Sequence, residues 1–176
     1  MILKYLTGFV LLLLANGLWA ESDSKYTLDS GDVITIRVFG EDELSFEEIR
    51  LTDAGTISYP FIGEIRASGK TAAELEKIIA TALRADYLVD PKVSVRIIAY
   101  REFYVNGEVK SPGGYPYQPG LTIRKAVALA GGFSDWASKS KIYVIREADP
   151  ERKPQRATID TLVMPGDIVT VEQSLF

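Results

Sequence analysis

Residues 103–136, FYVNGEVKSPGGYPYQPGLTIRKAVALAGGFSDW, constrain the fold of this chain more than any other stretch. The β-rich residues Phe103, Tyr104 and Val105 run into Asn106-Gly107, and a second short run, Glu108 and Val109, leads to Pro112-Gly113. Both dipeptides are strong turn signals. Thr122 then offers an N-cap oxygen, and Ile123, Ala126, Val127 and Ala130 recur at helical spacing until Gly131-Gly132 stops them. The predicted order is strand, turn, strand, turn and one short helix, with a small strand system wrapped around that helix.

The preceding chain builds a module of similar size. Asp29-Ser30-Gly31-Asp32 reads as a turn, and residues 33–39 place Ile34, Ile36 and Val38 on one face and Thr35 and Arg37 on the other, as a half-buried strand does. After an acidic connection at 40–45, residues 48–52 and 56–59 flank Asp53-Ala54-Gly55 as a predicted hairpin with Gly55 at the positive-φ position. Pro60 ends that pairing, and residues 61–65 are predicted to form a further short strand. Thr71-Ala72-Ala73-Glu74 fits a capping box, in which the hydroxyl accepts from the N3 amide while the glutamate accepts from the cap amide. Leu75, Ile78, Ile79, Ala82 and Leu83 follow as one apolar stripe, and the helix should end before Asp86. Beyond Pro91, Val93, Val95 and Ile97 alternate with Ser94 and Arg96 in a return strand.

Downstream of 103–136, strands are predicted at 141–146 and 156–159, separated by a charged loop marked by Pro150 and Pro154. The chain closes on Pro165-Gly166-Asp167-Ile168-Val169-Thr170-Val171, which matches Ser30-Gly31-Asp32-Val33-Ile34-Thr35-Ile36 as a Gly-Asp turn followed by a β-branched strand. Strands in runs with one helix per module indicate an α+β fold, divided here into 21–100 and 101–176.

Residues 1–20 read as a targeting segment. Lys4 is the positive start, 6–15 the apolar run, Asn16-Gly17 a break and Leu18-Trp19-Ala20 a cleavage site, so cleavage is expected after Ala20. The other reading, a retained anchor, has an apolar run shorter than the roughly 20 residues that span a bilayer. A net charge of −4, one unit more negative once Lys4 is lost, gives no basic footprint for nucleic acid. Cysteine and histidine are both absent, which removes disulfides, a lipid-modified cysteine, the commonest general base and the commonest zinc ligand.

Asp32, Asp53 and Asp167 each share a turn with a glycine, where a carboxylate ordinarily caps turn amides. A paired-carboxylate glycosidase needs two such groups at a fixed separation, and nothing in the sequence brings two together. Tyr104, Tyr115, Tyr117 and Trp136 form an aromatic group that could stack on sugar rings or fill a core or subunit interface, and both readings stand, with packing the more ordinary for strand aromatics. Gly113-Gly114 follows proline in a turn and Gly131-Gly132 lies at a helix C-terminus, so neither cradles a phosphate and no cofactor is indicated.

Four sets of motifs cover the first module, the first three being Tyr26-Thr27-Leu28-Asp29-Ser30-Gly31-Asp32 with Ile36 and Val38; Asp53-Ala54-Gly55-Thr56-Ile57 with Pro60 and Gly63; and Gly69-Lys70-Thr71 with Glu74-Leu75. Tyr87-Leu88 with Pro91, Val93 and Val95 completes them. The second module carries Val105-Asn106-Gly107-Glu108-Val109, Pro112-Gly113 with Tyr115, Gly120 with Thr122, 130–135, and Pro165-Gly166-Asp167-Ile168-Val169. In this order they resemble the outer-membrane polysaccharide export proteins, in which a polysaccharide export domain precedes a β-grasp SLBB domain.

That resemblance implies a non-enzymatic component of a capsule or exopolysaccharide secretion machine. It would form a homo-oligomeric ring in the periplasm through which polymer passes. Its inner-membrane partner would be a polysaccharide co-polymerase of the tyrosine-kinase type or a relative of one. Better-known members carry a lipid-anchoring cysteine and a C-terminal amphipathic helix, and this sequence shows neither. The expectation is therefore a soluble periplasmic protein, attached at most peripherally to the outer membrane and needing a separate outer-membrane channel, with 103–136 as an assembly surface. A monomeric periplasmic carbohydrate-binding module is the alternative.

Overall fold

A computed structural model of the chain describes residues 26–174, so the targeting segment expected at 1–20 lies outside the described residues. The chain builds two hydrophobic cores in succession, one drawn from Leu28 to Val95 and one from Phe103 to Val171.

In the first, β1 (Val33–Val38) is the middle strand of an antiparallel sheet in the order β2-β1-β5, between β2 (Phe46–Arg50) and β5 (Val93–Ala99). Its alternation holds, with Ile34, Ile36 and Val38 buried and Arg37 exposed. Helix α1 (Ala72–Asp86) covers the inner face with Leu75, Ile79 and Leu83 and runs to Asp86 itself. Its capping box forms: Glu74 N donates to Thr71 Oγ1 (3.2 Å) and Thr71 N donates to Glu74 Oε2 (2.7 Å). The Thr71 amide, then its hydroxyl, hold the Glu74 carboxyl below its ordinary range.

Two sequence expectations change here. The hairpin predicted across Asp53-Ala54-Gly55 forms only as a turn, with Thr52 N donating to Thr56 O at 3.0 Å. Its flanks then part, because β2 pairs with β1 while β3 (Thr56–Tyr59) pairs with β4 (Gly63–Arg66) as a separate two-stranded unit that contributes Ile57, Tyr59 and Ile65 to the core. The strand predicted at 61–65 thus starts later, because Phe61 sits at φ +64° in a one-residue turn closed by Ile62 N donating to Pro60 O (2.7 Å).

The second core lies between α2 (Ile123–Leu129) and a mixed five-stranded sheet in the order β7-β6-β10-β8-β9, the grasp expected from the sequence. Its strands are β6 (Phe103–Gly107), β7 (Gly113–Tyr115), β8 (Ala137–Ile145), β9 (Gln155–Ala157) and β10 (Ile168–Gln173). β10 runs parallel to β6 and antiparallel to β8. Ile123, Ala126 and Val127 face Phe103, Val105, Ile142, Val144, Val169 and Val171 in one cluster. The helix stops at the glycine pair, with Gly132 N donating to Val127 O and Gly131 N to Ala128 O, the paired bonds of a Schellman end.

Asn106-Gly107 is not a hairpin turn. Gly107 is still in β6, opposite Val171, and a Cβ there would lie 2.1 Å from Val171 O, so glycine permits close strand approach. The chain reverses later, and Val105 pairs with Gly113, just past Pro112. The second run, Glu108 and Val109, forms no strand beyond a single bridge from Val109 to Phe133. β8 begins four residues before its predicted start, and β9 covers only part of 156–159.

Candidate functional site

Asp32 and Asp167 are the buried charged side chains among the described residues, and the same local chemistry builds both positions. Asp32 N donates to Asp29 O (3.1 Å), while Asp29 N returns to Asp32 Oδ2 (2.9 Å). Likewise Asp167 N donates to Met164 O (3.2 Å) and Met164 N to Asp167 Oδ2 (2.8 Å). Each aspartate closes a turn and starts a strand, β1 or β10.

The correspondence continues across the sheets. Val33 lies opposite Ala99 and Ile168 opposite Ile145. Two residues beyond each partner, a backbone amide reaches the aspartate: Arg101 N to Asp32 Oδ1 (2.9 Å) and Glu147 N to Asp167 Oδ1 (3.3 Å). The side chains of these two residues then meet, with Arg101 Nε donating to Glu147 Oε2 at 2.6 Å.

Arg101 also reaches the first turn. Its Nη1 donates to Tyr26 Oη (2.6 Å) and lies 3.4 Å from Asp32 Oδ2, while Tyr26 Oη donates to Asp32 Oδ2 (2.6 Å). In the second turn Arg146 Nη1 donates to Asp167 Oδ2 and to Leu162 O. A buried carboxylate is tolerable when donors take up its lone pairs, and no buried side-chain N or O atom among the described residues lacks a partner. Burial first, and then the Asp32 carboxylate, push the Tyr26 phenol well above its usual value. Burial opposes the Arg101 charge, but the Glu147 hydrogen bond and the surrounding negative groups outweigh it and raise the guanidinium's pKa.

Tyr100, in the connection between the cores, is bracketed edge-on by Tyr26 (4.9 Å between ring centres) and by Tyr117 (5.3 Å). Gly166 completes the seam. It has φ +81°, and a Cβ there would stand 1.6 Å from Glu147 Oε2, so any side chain would displace the carboxylate that holds Arg101.

The arrangement is a clamp. Asp32, Glu147 and Asp167 each accept from N–H or O–H donors, and Asp29 in the first turn accepts from the Ser68 hydroxyl (3.0 Å). Asp53 is elsewhere, exposed, and accepts Ala54 N (2.9 Å). Gly31 shapes the Asp32 turn, Gly55 packs against Ser68, Gly120 lends its carbonyl to Lys125 Nζ, and Pro60 shapes the turn at Phe61. The four aromatics do not form one platform. Strand alternation puts Tyr115 beside Phe103 in the core and Tyr104 on the opposite face over Gly114; Tyr117 joins the seam, and Trp136 stands exposed before β8.

The sequence reading missed Arg101, Arg146, Glu147 and the bonding of Tyr26. A signal was present: Arg-Glu follows β5 at 101–102 and β8 at 146–147, as Gly-Asp precedes β1 and β10.

Two family profiles fit this chain in order, one described as polysaccharide biosynthesis/export protein over 20–98 and the SLBB domain over 103–155. The chain belongs to the polysaccharide export protein family. Over 85% of its length this export-family chain is 29% identical to the EPS I polysaccharide export outer membrane protein EpsA of Ralstonia nicotianae, of which the alignment covers 48%. It is 46% identical over 81 residues to the exopolysaccharide production protein ExoF of Rhizobium meliloti, covering 45% of this chain and 19% of that one. The export-family chain thus spans about half or less of the length of these relatives. Among its described residues no helix is long and apolar enough to cross a membrane.

Proposed function

We propose that the chain is a non-enzymatic component of an exopolysaccharide or capsule export machine, assembled as a homo-oligomeric ring through which polymer passes. It works in the periplasm, attached at most peripherally to the outer membrane. An inner-membrane polysaccharide co-polymerase, of the tyrosine-kinase type or a relative, stands on one side and a separate outer-membrane channel on the other.

The observation that carries the export role is the ordered match of both family profiles, with likeness to EpsA extending over most of the chain. The ring draws support from the surface. Head-to-tail closure needs two different patches on each subunit. Phe61, Tyr87 and Val89 are exposed on the first half, and Tyr104, Leu129 and Trp136, all within 103–136, on the second. The scatter of the aromatics weighs against the monomeric carbohydrate-binding module.

Light scattering and single-particle images of the purified chain test the assembly. Rings or a concentration-dependent oligomer are expected, whereas a strict monomer that binds oligosaccharide would overturn the ring. Deleting the gene tests the role. Loss of surface polymer with retention inside the envelope is expected, and unchanged export would contradict it.

A further inference from the structure

The outer face of the first sheet, turned away from α1, carries an unusual set of side chains. Register places Thr35 opposite Arg96 and Arg37 opposite Ser94, so both arginines project from the same face as diagonal neighbours. Phe39, just past the end of β1, continues that row and is 63% exposed. Together these five residues line a shallow hollow of about 340 Å³.

Neither guanidinium makes an ion pair or side-chain hydrogen bond with another described residue. Asp42 and Glu47 line an adjoining hollow with Arg37, yet neither is within ion-pair reach of it. This sets them apart from Arg101 and Arg146, which are committed to carboxylates. In a chain of net charge −4, two adjacent uncommitted guanidiniums form a local exception.

From these groups we infer that this face is a binding site for an acidic saccharide segment, one carrying carboxylates as uronic acids do. A guanidinium fork matches a carboxylate with two parallel hydrogen bonds. The Ser94 hydroxyl suits a sugar hydroxyl, the Thr35 hydroxyl, which donates to Phe46 O (2.9 Å), can still accept from one, and an exposed phenyl ring accepts the apolar face of a pyranose. The row from Thr35 to Phe39 runs about 13 Å, room for a short run of sugar rings. The inference rests on the export reading, and it names the class of polymer and the surface that guides it.

Titration of the purified chain with tetragalacturonate, and with cellotetraose as its neutral counterpart, tests the site. The acidic sugar should bind at least about tenfold more tightly and weaken as salt rises. Arg37→Gln and Arg96→Gln should each reduce that affinity by about tenfold, with Arg37→Lys intermediate because it keeps charge and loses the fork. Phe39→Ala should weaken both sugars. Equal affinity for the two, no binding of either, or unchanged binding by the doubly substituted chain overturns the site. So does a change of oligomer size in the double variant without sugar binding in the parent, which would assign the face to a second copy. If gene deletion traps polymer but the double variant restores export fully, the site falls and the export role stands. If deletion leaves export untouched while the purified chain still prefers the acidic sugar, the role falls and the site stands.

Discussion

Arg101 and Glu147 are bonded at 2.6 Å from corresponding positions in the two halves, each two residues past the partner of a strand that opens on Gly-Asp, and each capping that turn's aspartate through its own amide. The two cores are therefore joined by the same groups that finish each of them.

Removing Arg101 should show this coupling. Arg101→Ala leaves Asp32, fully buried, without its guanidinium, and breaking such a pair costs about 3 kcal/mol or more. Glu147→Ala should cost less, because Arg101 keeps Tyr26 and Asp32, and Asp167 keeps Arg146 and the backbone amide of residue 147. A double-mutant cycle followed by urea unfolding should return a coupling of about 1–2 kcal/mol. Strictly additive single effects would show that the bond contributes nothing to the seam.

Gly166→Ala and Gly40→Ala share a positive φ, but a Cβ at Gly40 meets nothing within 4 Å. Gly40→Ala should therefore cost about 1 kcal/mol from backbone strain alone. Gly166→Ala should cost clearly more, and the excess should vanish in a Glu147→Ala background. An excess that persists there would place the obstruction somewhere other than the Glu147 carboxylate.

Stability should fall steeply in alkali. Burial pushes the Tyr59 phenol from about 10 up to about 12, and Tyr26 is raised by burial and by Asp32. A folded-state pKa above the unfolded one gives stability that is complete below about pH 10 and is lost as pH rises toward the folded value. Each phenol should remove about 1.4 kcal/mol per pH unit in that window. Tyr59→Phe loses the hydrogen bond to Leu44 O, about 1 kcal/mol at neutral pH, and its deficit should shrink between pH 10 and 12. A constant deficit across that range would contradict the assignment.

Phe61 holds φ +64° while its ring packs 5.1 Å from that of Tyr87. Glycine ordinarily destabilises relative to alanine, but here Phe61→Gly should be more stable than Phe61→Ala by about 1 kcal/mol, because only glycine relieves the strain. Both variants should weaken self-association in light scattering if the turn is a ring contact. Intact assembly would remove Phe61 from the interface.

Much of the fold was legible because its determinants are local. The Thr71 capping box, the Leu75, Ile79 and Leu83 stripe, the alternation through Ile34, Ile36 and Val38 and the glycine stop after α2 each depend on residues a few positions apart. The misread turns show the limit. Gly107 has the composition of a hairpin turn, yet its role is fixed by the carbonyl of Val171, which reaches it only once β10 lies beside β6. The 56–59 strand turned away from β2 for the same kind of reason, since pairing is chosen by which partners complete the core.

By itself, then, the sequence determined the two modules, their helices, the repeated Gly-Asp turns and the order of motifs that identifies an export-family chain. Only the tertiary structure decided that those turns meet. The bonds that join them connect residues 46 and 69 positions apart, and no periodicity or propensity reports on groups so distant in the chain. Their alignment follows from both sheets presenting the same strand ends to a single short connection, where the cost of burying two carboxylates is met by donors from both sides.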